Sequence, residues 1–127
     1  MIKLSKEQIL MLHSMAIKQS GGMDGVRDNG LLDMALHAPF QTFESTELYP
    51  SIQSKAARLC FSIVSNHPFV DGNKRIGILA MLVFLDVNQV EVNCSNQDII
   101  ELGLGVASGI YNTNFITDWI IAHNSDR

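Results

Sequence analysis

The sequence predicts an all-α fold, a single-domain bundle of about six helices over residues 1–127 with a possible small flap hairpin. Three observations carry this reading. Apolar residues recur at three- and four-residue spacing along most of the chain. The periodic segments open on Ser or Asp and close near Gly, Pro or Asn, as helix ends do. Hydrophobic residues make up 46% of the chain and charged residues 17%, enough for a packed core in a chain of one-domain size.

The first helix is expected over residues 5–18, with Ser5 and Gln8 forming a capping box and Ile9, Leu10, Leu12, Met15 and Ile17 on its apolar stripe. Gly21-Gly22 ends it. The second covers residues 28–37, with Asp28 as N-cap, Leu31, Leu32, Met34, Ala35 and Leu36 buried, and Ala38-Pro39 as the stop. Residues 40–50 contain Thr42, Phe43, Thr46 and Tyr49 and read as a loop or small hairpin. The third helix covers residues 51–66, and Pro68 forces an end near His67. The fourth covers residues 73–88. Its stretch 76–85 is apolar or glycine on every side, so it is expected to be the central, surrounded helix. After a short extended link at Val90-Glu91-Val92, Ser95 with Asp98 opens a fifth helix running to about Gly109, and a sixth covers residues 113–123. No internal repeat or domain-splitting linker is visible.

Composition excludes several classes. The net charge of −4 argues against a direct, general nucleic-acid binder, leaving Lys74-Arg75 as the local basic candidate. Cys60 and Cys94 show no zinc spacing, and Cys60 sits in an apolar helical pattern as an inert thiol would. The longest apolar run, residues 76–85, is far short of the roughly 20 residues a bilayer span needs. No signal peptide is seen, and a cytoplasmic location without membrane attachment is expected.

The chemistry concentrates in His67-Pro68-Phe69-Val70-Asp71-Gly72-Asn73-Lys74-Arg75. This loop leads into the start of a helix, where backbone N–H groups lack internal partners and the dipole is positive, a ready anion site. Gly72 removes a side chain where backbone must approach a ligand. Asn73 can cap the helix or donate to a phosphate, and Arg75 can grip a phosphate with two parallel hydrogen bonds. Lys74 adds a second cation, and Asp71 is a hard oxygen ligand suited to phosphate-bound magnesium. His67 is the residue here able to exchange a proton near neutral pH. Each piece alone is commonly structural: a helix-end His, an Asp-Gly-Asn turn, a solvated Lys-Arg pair. Their concurrence between two apolar helices points to a metal-bound nucleotide triphosphate.

That stretch resembles the signature of the Fic/Doc (death-on-curing) family, with His, Phe, the acidic residue, Gly, Asn and Arg in register. Gly25-Val26-Arg27-Asp28-Asn29-Gly30-Leu31-Leu32 and Phe84-Leu85-Asp86-Val87-Asn88 are similar to the Doc-type branch as well. The resemblance implies a bundle of about six helices around a central helical hairpin, and transfer of part of a nucleotide to a protein hydroxyl. It makes His67 the general base, Phe69 a core anchor, Asp71 the magnesium ligand, Gly72 and Asn73 the shapers of the anion site and Arg75 a phosphate ligand. Lys74 stands where AMP-transferring members have a second Gly. In the family reading Lys there inverts the nucleotide, so that the γ-phosphate of ATP is transferred to Ser or Thr. Pro68 and Gly72 are nonetheless Fic-like, which leaves AMP transfer open as the alternative.

The resemblance further implies a toxin of a toxin–antitoxin system that blocks translation, with elongation factor Tu as protein substrate and a Phd-like antitoxin as partner. No Glu of the chain has Ser or Thr four residues before it, so the self-inhibitory motif of many Fic enzymes is missing. An apolar groove that takes an amphipathic antitoxin segment is therefore expected. A non-catalytic anion- or partner-binding module is the competing class. Among lesser candidates, Arg27 and Asp28 could reach the site, though Asp28 reads more simply as an N-cap, and residues 40–49 read equally as a target-docking flap or a plain loop. His13, His37 and His123 read as surface or satisfied histidines. Trp119, Phe115 and the methionines read as core.

Overall fold

Short polar side chains set nearly every helix start in this chain. In the computed structural model, which describes residues 1–124, α1 (Lys6–Ser20) is capped by the Ser5/Gln8 box and α2 (Asn29–His37) by Asp28. Likewise α3 (Ile52–Asn66) is capped by Ser51 with Ser54, α5 (Asn96–Ala107) by Ser95 with Asp98, and α6 (Thr113–Ala122) by Asn112. A cap of this kind stabilises its helix by about 1 kcal/mol. Helix α4 (Asn73–Val87) is different: it starts on Gly72 and no side chain caps it.

The expected all-α bundle is observed. Helices α3 and α4 form the central pair. Helix α1 and α5 pack on α4, while α2 and α6 pack on α3. The core between them holds Ile63, Phe69, Ile76, Met81, Phe84 and Leu85, all essentially removed from water. Cys60 lies in this core, and burial pushes its thiol up to about 12, as an inert thiol requires.

Residues 40–50 do contain a hairpin. Thr42–Phe43 (β1) pairs antiparallel with Thr46–Glu47 (β2), and the two turn residues Glu44 and Ser45 both have positive φ, of 50° and 67°. Two-residue turns of that hand match strand twist, though Asn-Gly is the usual sequence for one. The hairpin is held from below by Lys55 of α3, which is 1% exposed. Its ammonium donates to Glu47 Oε1 at 2.7 Å and to the Tyr49 carbonyl, and it lies 5.9 Å from the Phe40 ring. A lysine buried at this depth requires such partners.

Helix α2 ends at His37, as Ala38-Pro39 predicts, and the chain then makes one 3-10 turn, Ala38–Phe40, with Pro in its first turn where no N–H is needed. Other expectations need correction. Helix α1 runs two residues beyond position 18, and α5 ends at Ala107, two before Gly109. Of the six methionines only Met81 is core; Met1, Met11, Met15, Met23 and Met34 are exposed. Phe115 is also exposed, stacking on Tyr111 at 3.8 Å at the surface.

Gly77 sets how close the central pair can come. A Cβ built there would lie 2.6 Å from Val64 Cγ2 and 3.2 Å from the Cys60 carbonyl oxygen. Alanine favours a helix over glycine by about 1 kcal/mol, but overpacking a tight crossing costs about 1–3 kcal/mol. The clash includes backbone, so it dominates. Gly77→Ala is expected to lower the midpoint of denaturant unfolding despite its higher helix propensity, as urea titration followed by circular dichroism would measure.

Candidate active site

Helix α3 ends at His67, whose backbone is left-handed (φ 52°, ψ 52°). That conformation costs a non-glycine residue about 1 kcal/mol or more, so the surroundings must hold it. Its N–H donates to the Ile63 carbonyl. Its own carbonyl accepts from Arg27 Nε at 2.8 Å, and Arg27 Nη2 donates to the Asn66 carbonyl at 3.2 Å. The guanidinium thus caps the negative end of α3. Asp28 is the N-cap of α2, as expected, with Oδ1 3.0 Å from the Leu31 N–H.

The segment before α2 runs beside the loop as a short extended pair. Val26 bridges to Phe69, the Val70 N–H donates to the Gly25 carbonyl at 3.0 Å, and the N–H groups of Arg27 and Asp28 both donate to the Pro68 carbonyl. Phe69 is fully buried, the anchor its position suggested.

Asn73 closes the loop from inside. Its Oδ1 accepts from the Phe69 N–H at 2.9 Å and its Nδ2 donates to the Phe69 carbonyl at 3.0 Å. The side chain therefore neither caps α4 nor points a donor at a phosphate; it shapes the loop. Gly72, in the left-handed region at φ 75°, takes the N-cap position and has no side chain to offer. As a result the N–H groups of Asn73, Lys74 and Arg75 have no partner among the described residues, and the positive end of α4 opens outward.

Asp71 is exposed. Its Oδ2 accepts from the Met23 N–H at 3.2 Å and its Oδ1 from the Gly72 N–H at 2.8 Å. Those bonds, first Met23 and then Gly72, hold its carboxyl below the usual carboxylate range, with Arg75 adding a smaller pull. It is ionised throughout the neutral range. Among the described residues no three His, Cys, Asp or Glu side chains gather as a metal cage. One exposed, ionised carboxylate beside the uncapped start of a helix fits a magnesium ion that shares its coordination with phosphates, which commonly takes only one or two protein carboxylates. Arg75 Nη1 donates to the Gly21 carbonyl at 3.1 Å, which fixes its guanidinium beside the end of α1.

These groups line one cleft. His67, Asp71, Gly72, Asn73, Lys74 and Arg75 form its polar end, and Ile78, Leu79, Leu82, Ile99, Ile100 and Leu104 continue it between α4 and α5. Its volume is about 850 Å³, within the range of small-molecule sites. All six residues singled out from the sequence thus meet in one place.

His13 is a satisfied histidine, one of the two readings the sequence allowed, and its support of this loop was not foreseen. It is buried on α1, stacks on Phe69 at 3.9 Å, and sets Nε2 2.7 Å from the Asp71 carbonyl and Nδ1 3.3 Å from Asp24 Oδ1. Since a carbonyl only accepts, Nε2 carries the donated proton. The signal was available: His13 lies midway between Ile9 and Ile17 at four-residue spacing, on the buried stripe of α1. Gly22 was missed too, since a Cβ there would meet Asp71 Oδ2 at 2.7 Å.

Comparison with known proteins agrees with this geometry. The family model described as Fic/DOC family matches residues 3–85. The chain is 42% identical over 89 residues to "Toxin Doc" of Mycolicibacterium smegmatis, covering 70% of this chain and 66% of that protein. It is 27% identical over 115 residues to "Protein kinase doc" of Escherichia phage P1, covering 91% of this chain and 90% of that one. An α-helical bundle with the His67–Arg75 loop at the uncapped start of its central helix, matched by the family model over most of its length, belongs to the Fic/DOC family.

Proposed function

We propose that this protein is a Doc-type toxin that transfers the γ-phosphate of ATP to a Ser or Thr hydroxyl of a protein, with elongation factor Tu as the target. The observation that carries the reading is the uncapped start of α4, facing a cleft that also holds His67, Asp71, Lys74 and Arg75. The name of the phage relative, a protein kinase, and that of the mycobacterial one, a toxin, support the same reading.

In this account the free N–H groups of Asn73, Lys74 and Arg75 hold the phosphate chain, with Arg75 alongside. His67 removes the proton of the target hydroxyl as its oxygen bonds to the γ-phosphorus. The bond from that phosphorus to the bridging oxygen breaks, and ADP leaves. A magnesium ion held by Asp71 and the phosphates would supply charge neutralisation at the reacting group. The left-handed turn at His67 and the Arg27 cap hold the backbone that carries the imidazole. Lys74 is the residue on which the choice of phosphate rests.

The apolar end of the cleft, with Ile100 and Leu104 exposed along α5, supports docking of an amphipathic segment from a Phd-like antitoxin. Among the described residues no helix is long and apolar enough to cross a membrane, in keeping with action in the cytoplasm.

With elongation factor Tu, magnesium and ATP labelled in turn at the α- and γ-phosphate, the γ label is expected on the target. His67→Ala should lower transfer by about 10²–10⁴-fold while leaving the fold intact, since His67 is exposed. Transfer of the α label would assign AMP transfer instead, and wild-type transfer unaffected by His67→Ala would remove His67 as base. Lys74→Gly should raise the ratio of α to γ label transferred. An unchanged ratio would show that Lys74 does not set the nucleotide's direction.

A further inference from the structure

Three buried glycines interrupt the helices around the cleft, and the structure accounts for two of them as packing. Gly77 admits α3 against α4, and Gly105 admits the ring of Tyr111. Gly103 is different, because what it admits is a side chain of the candidate active site. A Cβ built on Gly103 would stand 3.0 Å from Lys74 Cγ and 3.2 Å from Lys74 Cδ, with Ile78 Cδ1 at 3.1 Å. The stem of Lys74 therefore lies against the bare backbone of α5, and both residues line the cleft.

Helix propensity argues that Gly103 has such a role. It sits inside the twelve-residue helix α5, where glycine is the poorest ordinary choice and alanine the best. The atoms opposing a Cβ there are side-chain atoms, mostly those of a flexible lysine. Alanine at this site would not open a helix crossing, as it would at Gly77; it would shift the lysine stem by a few tenths of an ångström.

We propose that Gly103 is a positioning residue: by leaving a slot for the Lys74 stem, it fixes where the Lys74 ammonium stands in the cleft, and so how the nucleotide's phosphates are held and which one faces the target hydroxyl. The inference rests on the reading of the cleft as a nucleotide site. It adds that the reach of Lys74 is set from α5, outside the signature loop and beyond residues 3–85 matched by the family model.

The test is a double-mutant cycle on ATP binding with magnesium, followed by calorimetry in the His67→Ala background so that no turnover intervenes. The four proteins carry Gly103 or Gly103→Ala, each with Lys74 or Lys74→Ala, and thermal unfolding checks that each is folded. Gly103→Ala is expected to change the ATP dissociation constant by about fivefold or more when Lys74 is present, and by under about twofold when the stem is truncated. In the active enzyme it should also move the α-to-γ label ratio. Gly103→Ser, with a similar Cβ, should behave alike and serves if the alanine variant is unstable. An equal effect in both Lys74 backgrounds, or none in either, would overturn the proposal. Should the protein with both native residues bind no ATP, the nucleotide reading itself would fall, and this inference with it.

Discussion

The site depends on one closed ring of hydrogen bonds, in which the buried side chain of Asn73 takes both the N–H and the carbonyl of Phe69. An unsatisfied buried polar group costs about 1–3 kcal/mol, and this ring satisfies four at once. It turns the loop so that the Phe69 ring enters the core against His13, while Asp71 and Gly72 stay at the rim. It also directs the Asn73 amide inward, away from the open start of α4. The start of α4 is left without the side-chain cap that the other five α-helices have.

Around this ring, distant parts of the chain reach the same loop. Arg27 holds the end of α3, His13 holds the Asp71 carbonyl, and the Met23 N–H holds the Asp71 carboxylate. The cleft is thus fixed by α1 and by the segment before α2 as much as by its own residues. The left-handed backbone at His67 is held by its N–H on the Ile63 carbonyl and by Arg27 on the carbonyls of Asn66 and His67. In the proposed transfer this preorganisation places the general base where the proton is to be taken.

Much of this was legible in the sequence. Ser5, Asp28, Ser51 and Ser95 marked helix starts correctly because capping is a local interaction that acts within four residues. The order of six helices followed from apolar spacing, and His67 to Arg75 declared themselves by adjacency. What could not be read was long-range. The contact of His13 with Asp71 joins residues 58 apart, and that of Arg27 with His67 joins residues 40 apart. The Lys55–Glu47 pair looks in the sequence like two surface charges, and only the hairpin folded over α3 buries the lysine. The methionines misled because hydrophobicity alone does not say which stripe faces inward; on α1 the buried line runs through His13 and leaves Met11 and Met15 in water. Asn73 misled for a related reason: its amide suits a phosphate, a cap or a backbone ring equally well, and the third choice appears only once Phe69 is seen buried beside it.

The most direct test of the central claim, that the open start of α4 is a phosphate site, is amide chemical-shift mapping of ¹⁵N-labelled protein titrated with ATP and magnesium. The largest changes are expected at the N–H groups of Asn73, Lys74 and Arg75, with smaller ones at Gly72 and at Gly103 across the cleft. Changes that leave those three amides untouched while appearing elsewhere on the surface would contradict it.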